Sequence, residues 1–308
     1  MTATATARTT PAAPSAGAAA PRPRRRRRVA PYLFVLPALL LFSAFKIYPI
    51  GRSFAISLHK TVGGTEQFVG ADNYTRLMGD PLFWTALKNT AVILVVQVPV
   101  MLALATGLAV ALNSRMLRAR AVFRLGFFLP MVTGLVAYGV IFSVLLNKDF
   151  GLVNWLMELV GLDPVPWLTD PLWAKVSLGV ALTWHYTGYN AVILLARLQS
   201  VPAELYDAAA VDGAGAWTSF RHVTLPGLRP ALLLTTVLST IGTLQIFDEP
   251  YVLTGGGPDN ATLTIGVYLY QNAFKYFDFG YASAIAYALA VLIGILGFIQ
   301  FRLLGEKT

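Results

Sequence analysis

Apolar residues gather along this chain into six long runs separated by short polar intervals. The runs are Tyr32 to Gly51, Ala86 to Leu112, Ala121 to Leu146, Val176 to Ala196, Ala231 to Phe247 and Ala282 to Leu303. A helix needs about 20 mostly apolar residues to cross a bilayer, so the pattern predicts six transmembrane helices in an all-α fold. Pro37, Pro99 and Pro130 lie inside these runs, where neighbouring helices of a membrane bundle can re-satisfy the freed backbone groups. Between the fourth and fifth runs the pattern changes. "ELYDAAAVDGAGAWTSFRHVTLP", Glu204 to Pro226, is too polar to cross and too rich in alanine for an irregular loop. Pro202 and Glu204 suit a first helical turn, and Leu205, Ala208, Ala209 and Val211 give that helix a small, smooth surface. Gly213 and Gly215 break it. Ala216 to His222 then predicts a second short helix, before Pro226 and Pro230 introduce the next span. A helix–turn–helix at the membrane face makes a knob that another protein can grip, and a surface-lying connector without a partner fits the same pattern.

Charge orients the runs. Residues 1–28 are low-complexity Ala, Thr and Pro ending in an arginine run, with seven Arg and no acid. They predict a disordered basic tail ahead of a membrane domain at 29–308. The apolar stretch from Val29 to Ile50 is longer than the core of a signal peptide and lacks a small-residue cleavage site, so the arginines read as a topology signal. The loop Asn113 to Arg124 carries four Arg and no acid, Arg197, Arg221 and Arg229 follow the fourth run, and Arg302 and Lys307 follow the sixth. With the tail, one side collects 16 of the 24 Lys and Arg, and the opposite loops hold 11 of the 15 acids. The excess of positive charge marks the cytoplasmic side, so both termini and the knob are expected there. Composition agrees with a membrane class: 56% of residues are hydrophobic and 13% charged, against roughly 25% charged in soluble domains. The chain has no cysteine, which excludes disulfides, thiolate metal sites and thiol nucleophiles. His59 and His222 fall on opposite sides of the expected membrane, so no metal centre is expected.

Two polar groups interrupt the runs. "TWHYTGYN", Thr183 to Asn190, sits at the centre of the fourth. Thr183, Thr187 and Asn190 share one helical stripe, while Trp184, His185 and Tyr189 add aromatic planes with polar tips. Sugars suit such walls, because their C–H faces stack on rings and their hydroxyls need hydrogen bonds. Hydrogen bonding between helices would use the same side chains. At the outer end of the fifth run, Gln245, Asp248 and Glu249 form a second group. The two acids are expected to reach water there, and Gln245, lying deeper, is the better pathway candidate.

The knob resembles the EAA motif of the membrane subunits of bacterial ABC importers. Asp207, Ala208 and Ala209 are followed by three residues to Gly213, then nine to Val223, Leu225 and Pro226. Asp207 stands where that motif has Glu, and Val223 where it has Ile. "FVLPALLLFSAFKIYPIGRSF", "FFLPMVTGLVAYGVIFSVLLN", "IFDEPYVLTGGGPDNAT" and "FDFGYASAIAYALAVLI" extend the likeness to the MalF-type branch of sugar importers, from about Pro31 to Leu304. The resemblance implies a six-helix permease of the bacterial plasma membrane, with coupling helices at about 203–226. Glu204, Asp207, Ala208, Ala209, Gly213, Val223, Leu225 and Pro226 would then seat in the cleft of an ABC ATPase dimer. The other implied partners are a second, homologous permease, an extracytoplasmic solute-binding protein and a carbohydrate, in membrane lipid and without nucleic acid. Gly255, Gly256, Gly257 and Pro258, read from the residues alone as a tight turn, would help receive the binding protein. No G-x-x-x-x-G-K-[ST] phosphate loop occurs, so no cofactor is expected on this chain; ATP and Mg would be bound by the ATPase subunits. A secondary transporter working alone would want intramembrane carboxylates, which the cores of the runs lack. A membrane enzyme such as a glycosyltransferase would want acidic pairs or metal ligands, and none stands out.

Overall fold

A computed structural model describes residues 30–62, 65–114 and 119–304; the basic tail and the arginines at 115 and 118 lie outside them. Contacts divide the chain into two units, residues 1–50 and 51–308. In the first, the helix Ala30–Phe42 passes into a π-helical turn at Ser43–Ile47, where the Tyr48 N–H reaches back to the Ser43 carbonyl. Pro49 follows directly. A proline in a helix donates no hydrogen bond and collides with the carbonyl four residues before it. One widened turn just ahead of it relieves both problems.

The second unit repeats that device. Helix Ala216–Ser219 passes through a π turn, Phe220–Thr224, into Leu225–Leu244, with the Leu225 N–H on the Phe220 carbonyl immediately before Pro226. The expected short helix ending at His222, with a separate span after the prolines, is therefore replaced by one helical segment, Ala216–Leu244.

Among the described residues, four helical segments are long and apolar enough to cross a membrane: Tyr32–Ser57, Pro81–Asn113, Ala216–Leu244 and Phe279–Leu303. A fifth arises if Arg120–Val132 and Leu135–Leu145, bent by 96°, count as one broken span. The third expected run is thus two helices. Each half has its own neighbour. Gly188 leaves no room for a Cβ against the Phe127 carbonyl, so the first half crosses Pro171–Leu198 backbone to backbone. On the second half, a Cβ at Gly139 would come within 2.8 Å of Val252. The fourth expected run is a helix, Pro171–Leu198, 28 residues long, but it is not among the segments apolar enough to cross, because Thr183 to Asn190 dilutes it.

Two helices begin well before their apolar runs, through the same start signal. Asp80 accepts from the Leu82 N–H at 2.9 Å with Pro81 at the first helical position. Asp170 accepts from the Leu172 and Trp173 N–H groups, at 2.9 and 3.0 Å, with Pro171 likewise placed. An N-cap acid followed by Pro is a strong helix start.

The fold is not purely α. His59–Val62 pairs antiparallel with Thr65–Phe68, in the register His59 to Phe68 and Val62 to Thr65. Short helices, Asp72–Gly79, Leu152–Leu159, Asp248–Thr254 and Ile265–Tyr270, fill the other connections. The buried core has two main parts. One joins Leu77, Phe83, Leu263, Ile265 and Tyr281. The other joins Ala105, Ala109, Leu112, Ala191, Leu194 and Leu228, where alanines let helices approach closely in the manner of membrane bundles.

Candidate functional site

Three places answer to the sequence expectations. The first is the polar knob. Helix Ala203–Val211 starts after Pro202 and ends in a Schellman cap. The Gly213 N–H bonds the Ala210 carbonyl at 3.1 Å, and the Ala214 N–H bonds the Ala209 carbonyl at 2.9 Å. That geometry needs a left-handed residue just past the helix, and Gly213 supplies φ +77°. Nothing lies within 4 Å of where its Cβ would be. Glu204, Asp207, Ala208 and Gly213 are exposed, Ala209, Val223 and Pro226 are half-buried, and Leu225 is exposed. Val211 at 88% and Trp217 at 71% exposure add large apolar faces to this surface.

The fastening of the knob rests on residues outside the motif. Tyr206 Oη and Thr224 Oγ1 are 3.1 Å apart. Arg197 Nε donates to the Gly227 carbonyl at 3.0 Å. A Cβ on Gly227 would come within 2.8 Å of Val201, so glycine lets the end of one helix close on the start of the next. Sequence reasoning missed Arg197, Tyr206 and Gly227. The signal was the glycine directly after Leu225 and Pro226.

The second place is a groove of about 1430 Å³ walled by helices Pro81–Asn113, Arg120–Val132 and Pro171–Leu198. Its walls are mostly apolar, and its polar side chains are Gln97, Lys175, Thr183 and Thr187, with Trp184 beside them. The structure thus splits the expected cluster. Thr183 and Thr187 face the groove but donate back to their own helix, to the Gly179 and Thr183 carbonyls at 2.7 and 2.5 Å; their oxygens remain able to accept. Trp184 is 45% exposed. His185 and Asn190 turn inward and are buried. Asn190 bonds the Tyr186 carbonyl at 3.0 Å and approaches the Met101 sulfur at 3.6 Å, so it serves the bundle. Tyr189 is half-buried and not on the groove wall. Gln245 is exposed just past Leu244, away from the groove lining. Gln97 and Lys175 were not foreseen, being single polar residues in otherwise apolar runs.

The third place is the glycine-rich turn at Gly255 to Pro258. Gly255 and Gly256 take positive φ, +64° and +92°, and the Gly257–Pro258 peptide is cis. The turn is tied down from outside itself: Asn89 donates to the Asn260 and Leu263 carbonyls at 2.8 and 3.0 Å. Thr90 Oγ1 accepts from the Ile265 N–H at 3.1 Å. Thr262 donates to the Gly257 carbonyl at 2.7 Å. Close by, Asp80 takes hydrogen bonds from both Tyr268 and Tyr281. Burial raises the Asp80 carboxyl, but those phenols and the Leu82 and Phe83 N–H groups outweigh it, holding it below the usual carboxylate range. Glu249, expected to reach water, is buried instead. Among the described residues, no group of three His, Cys, Asp or Glu could hold a metal ion.

The family described as binding-protein-dependent transport system inner membrane component matches residues 73–307. The lactose transport system permease protein LacF of Rhizobium radiobacter is 44% identical over 281 residues, 90% of this chain and 94% of that protein. The sulfoquinovosyl glycerol transport system permease protein SmoG of Agrobacterium fabrum is 34% identical, over 91% of this chain and 92% of its own length. The trehalose/maltose transport system permease protein MalF of Thermococcus litoralis is 36% identical, over 85% and 89%. Among solved structures, a bacterial ABC transporter involved in the import of the acidic polysaccharide alginate has a chain that superposes with a TM-score of 0.80. It is 23% identical, covering 92% of this chain and 97% of that one, a likeness of fold.

Proposed function

The chain belongs to the family of binding-protein-dependent transport system inner membrane components, and from that premise we propose that it is one of two permease subunits in an ATP-driven importer of a di- or oligosaccharide. What carries the reading is likeness over nearly the whole chain to permeases named for lactose, sulfoquinovosyl glycerol and trehalose/maltose transport. The protein is a multi-pass component of the inner membrane. Its termini and knob face the cytoplasm, following the positive charge.

The chemistry then divides among the three places. Asp207, Ala208 and Ala209, on a helix whose end is fixed by Gly213, present a small acid-bearing face to the cleft of an ATPase. Arg197 and the close approach at Gly227 pass a push on that face into both adjoining helices. The groove offers an aromatic plane at Trp184, acceptor oxygens at Thr183 and Thr187, and both donors and acceptors at Gln97. That set suits a neutral sugar. The second permease would close the groove's open side, and the turn at Gly255–Pro258 would receive the solute-binding protein. ATP and Mg belong to the ATPase subunits.

Reconstitution in liposomes tests this. The chain alone is expected neither to hydrolyse ATP nor to accumulate radiolabelled di- and oligosaccharides, with or without an ion gradient. Adding the second permease, the ATPase pair and the binding protein is expected to give ATP-dependent uptake. Gradient-driven uptake by the lone chain would overturn the reading. In the full assembly, Asp207→Lys is expected to keep membrane abundance but lose ATPase co-purification and transport.

A further inference from the structure

One buried carboxyl has no part in the scheme above. Glu249, in the helix Asp248–Thr254, is 3% exposed. Tyr186 Oη, on the helix Pro171–Leu198, donates to Glu249 Oε1 at 3.1 Å. Tyr138, on Leu135–Leu145, faces the same carboxyl, but its hydroxyl makes no well-formed hydrogen bond. The Tyr138 ring stacks on His185 at 4.4 Å and 19°, and His185 Nδ1 is also buried without a partner. The short helix is seated tightly, since a Cβ on Gly139 would come within 2.8 Å of Val252.

The surroundings favour a neutral acid. Among the described residues no Lys or Arg forms an ion pair with Glu249. The titratable groups that act on it are Asp248 on its own helix, Tyr138 on Leu135–Leu145 and Tyr186 on Pro171–Leu198, with His185 packed against both tyrosine rings. Toward the segment 265–275, the contacts run through Tyr251 to Tyr270 and Lys275. Burial pushes the Glu249 carboxyl up, against the hydrogen bond from Tyr186 and the nearby Tyr138 hydroxyl, and the Asp248 charge adds to the rise. An ionised carboxylate buried without a cation is strongly disfavoured, whereas a neutral one can stay and keep its partners.

We propose that Glu249 is a positioning residue of the outer gate: neutral, it fastens the helix Asp248–Thr254 to Tyr186, and ionised, it lets that helix lift. The helix ends at Gly255, so it carries the glycine-rich turn. Tyr138 lies 6.0 Å from Trp184 on the groove wall, so lifting the helix loosens that wall too. The docked state binds the proton more tightly than the lifted one. It is therefore favoured at low pH and loses ground as pH rises through the docked value. The functional meaning of the latch rests on the reading that the turn receives the binding protein.

The chain has no cysteine, so Val252→Cys gives a single reporter on the docked face. In the assembled transporter in nanodiscs, the rate of labelling by a membrane-impermeant maleimide is read on this chain by intact mass. Dividing each rate by that of the same reporter carrying Glu249→Gln cancels the thiol's own titration. Across a titration from acid to alkaline pH, the ratio is expected to start at about 1 and to rise several-fold as pH passes the docked carboxyl's raised value, while Glu249→Ala labels several-fold faster than Glu249→Gln throughout. A ratio that stays flat overturns the protonation latch. A Glu249→Ala rate as slow as that of Glu249→Gln overturns the fastening itself. Neither readout uses solute or binding protein. Failure of the binding protein to cross-link at Gly255 would overturn the docking reading alone.

Discussion

The knob and the turn at Gly255–Pro258 are both glycine-punctuated connections after a long helix, yet they are held in opposite ways. The knob is held by residues near it in sequence: a Schellman cap at Gly213, the hydroxyl pair Tyr206 with Thr224, and Arg197 on the Gly227 carbonyl. The turn is held from elsewhere in the sequence, by Asn89 and Thr90 on Pro81–Asn113. A connection shaped by local hydrogen bonds can present a bare, exposed face to a partner and still be rigid. One shaped by distant side chains follows the helices that hold it. The first suits a socket joint and the second a reporter of bundle motion.

The sharpest way to break that contrast is to crowd a glycine beside the turn. Gly266 follows the turn, and a Cβ there would press into the Ile246 carbonyl and lie 3.2 Å from Phe247 Cβ. Backbone must move to admit it, and overpacking of this kind costs about 1–3 kcal/mol, occasionally more. Gly266→Ala is expected to lower the temperature at which detergent-solubilised protein aggregates and to reduce membrane abundance. Unchanged abundance and aggregation temperature would mean that the close approach of Gly266 to Ile246 does not hold this region in place.

Asn89→Ala probes the distant anchor. It removes both bonds to the carbonyls of Asn260 and Leu263; Asn260 keeps the Leu263 N–H, while the buried Leu263 carbonyl loses its partner at about 1–3 kcal/mol. Faster proteolysis or hydrogen exchange is expected at 255–264, with the knob unchanged. Equal change in both regions would erase the distinction between them.

Asp80 sharpens the contrast through pH. Its carboxyl sits below the ordinary range in the folded state, so its contribution is fully present above the unfolded value and is lost as pH falls through the folded one. Exchange at Tyr268 and Tyr281 is expected to rise in strong acid, and Asp80→Asn should bring that rise to neutral pH.

The two regions also differ in how far the sequence revealed them. The knob was legible because its determinants are local: an acid, small residues and a glycine within ten positions. Even there, Pro226 misled, since the π turn before it is a backbone adjustment with no residue signature of its own. The starts at Asp80 and Asp170 were written in the sequence as Asp-Pro, but hydropathy alone placed both helices late. The 96° break in the third run and the burial of Glu249 depend on which helices meet at Gly188 and Gly139. No periodicity along one strand of text encodes such meetings. The groove was half legible for the same reason: the threonines and Trp184 stand in a visible cluster, but which face His185 and Asn190 take is decided by neighbours.

The smallest expected effect falls where the comparison began. Gly213 has φ +77° and nothing within 4 Å of its would-be Cβ, so a side chain there meets backbone strain and no crowding. For Ala the left-handed conformation costs roughly 1 kcal/mol, while Asn tolerates it better. Gly213→Ala is therefore expected to weaken ATPase association by a few-fold, Gly213→Asn by less, and neither to change membrane abundance. That order follows from conformation alone. If bulk decided instead, Asn would be worse than Ala, and the space around Gly213 would have to be filled by the ATPase in the assembled transporter. Co-purification of the ATPase with each variant at matched expression separates the two cases.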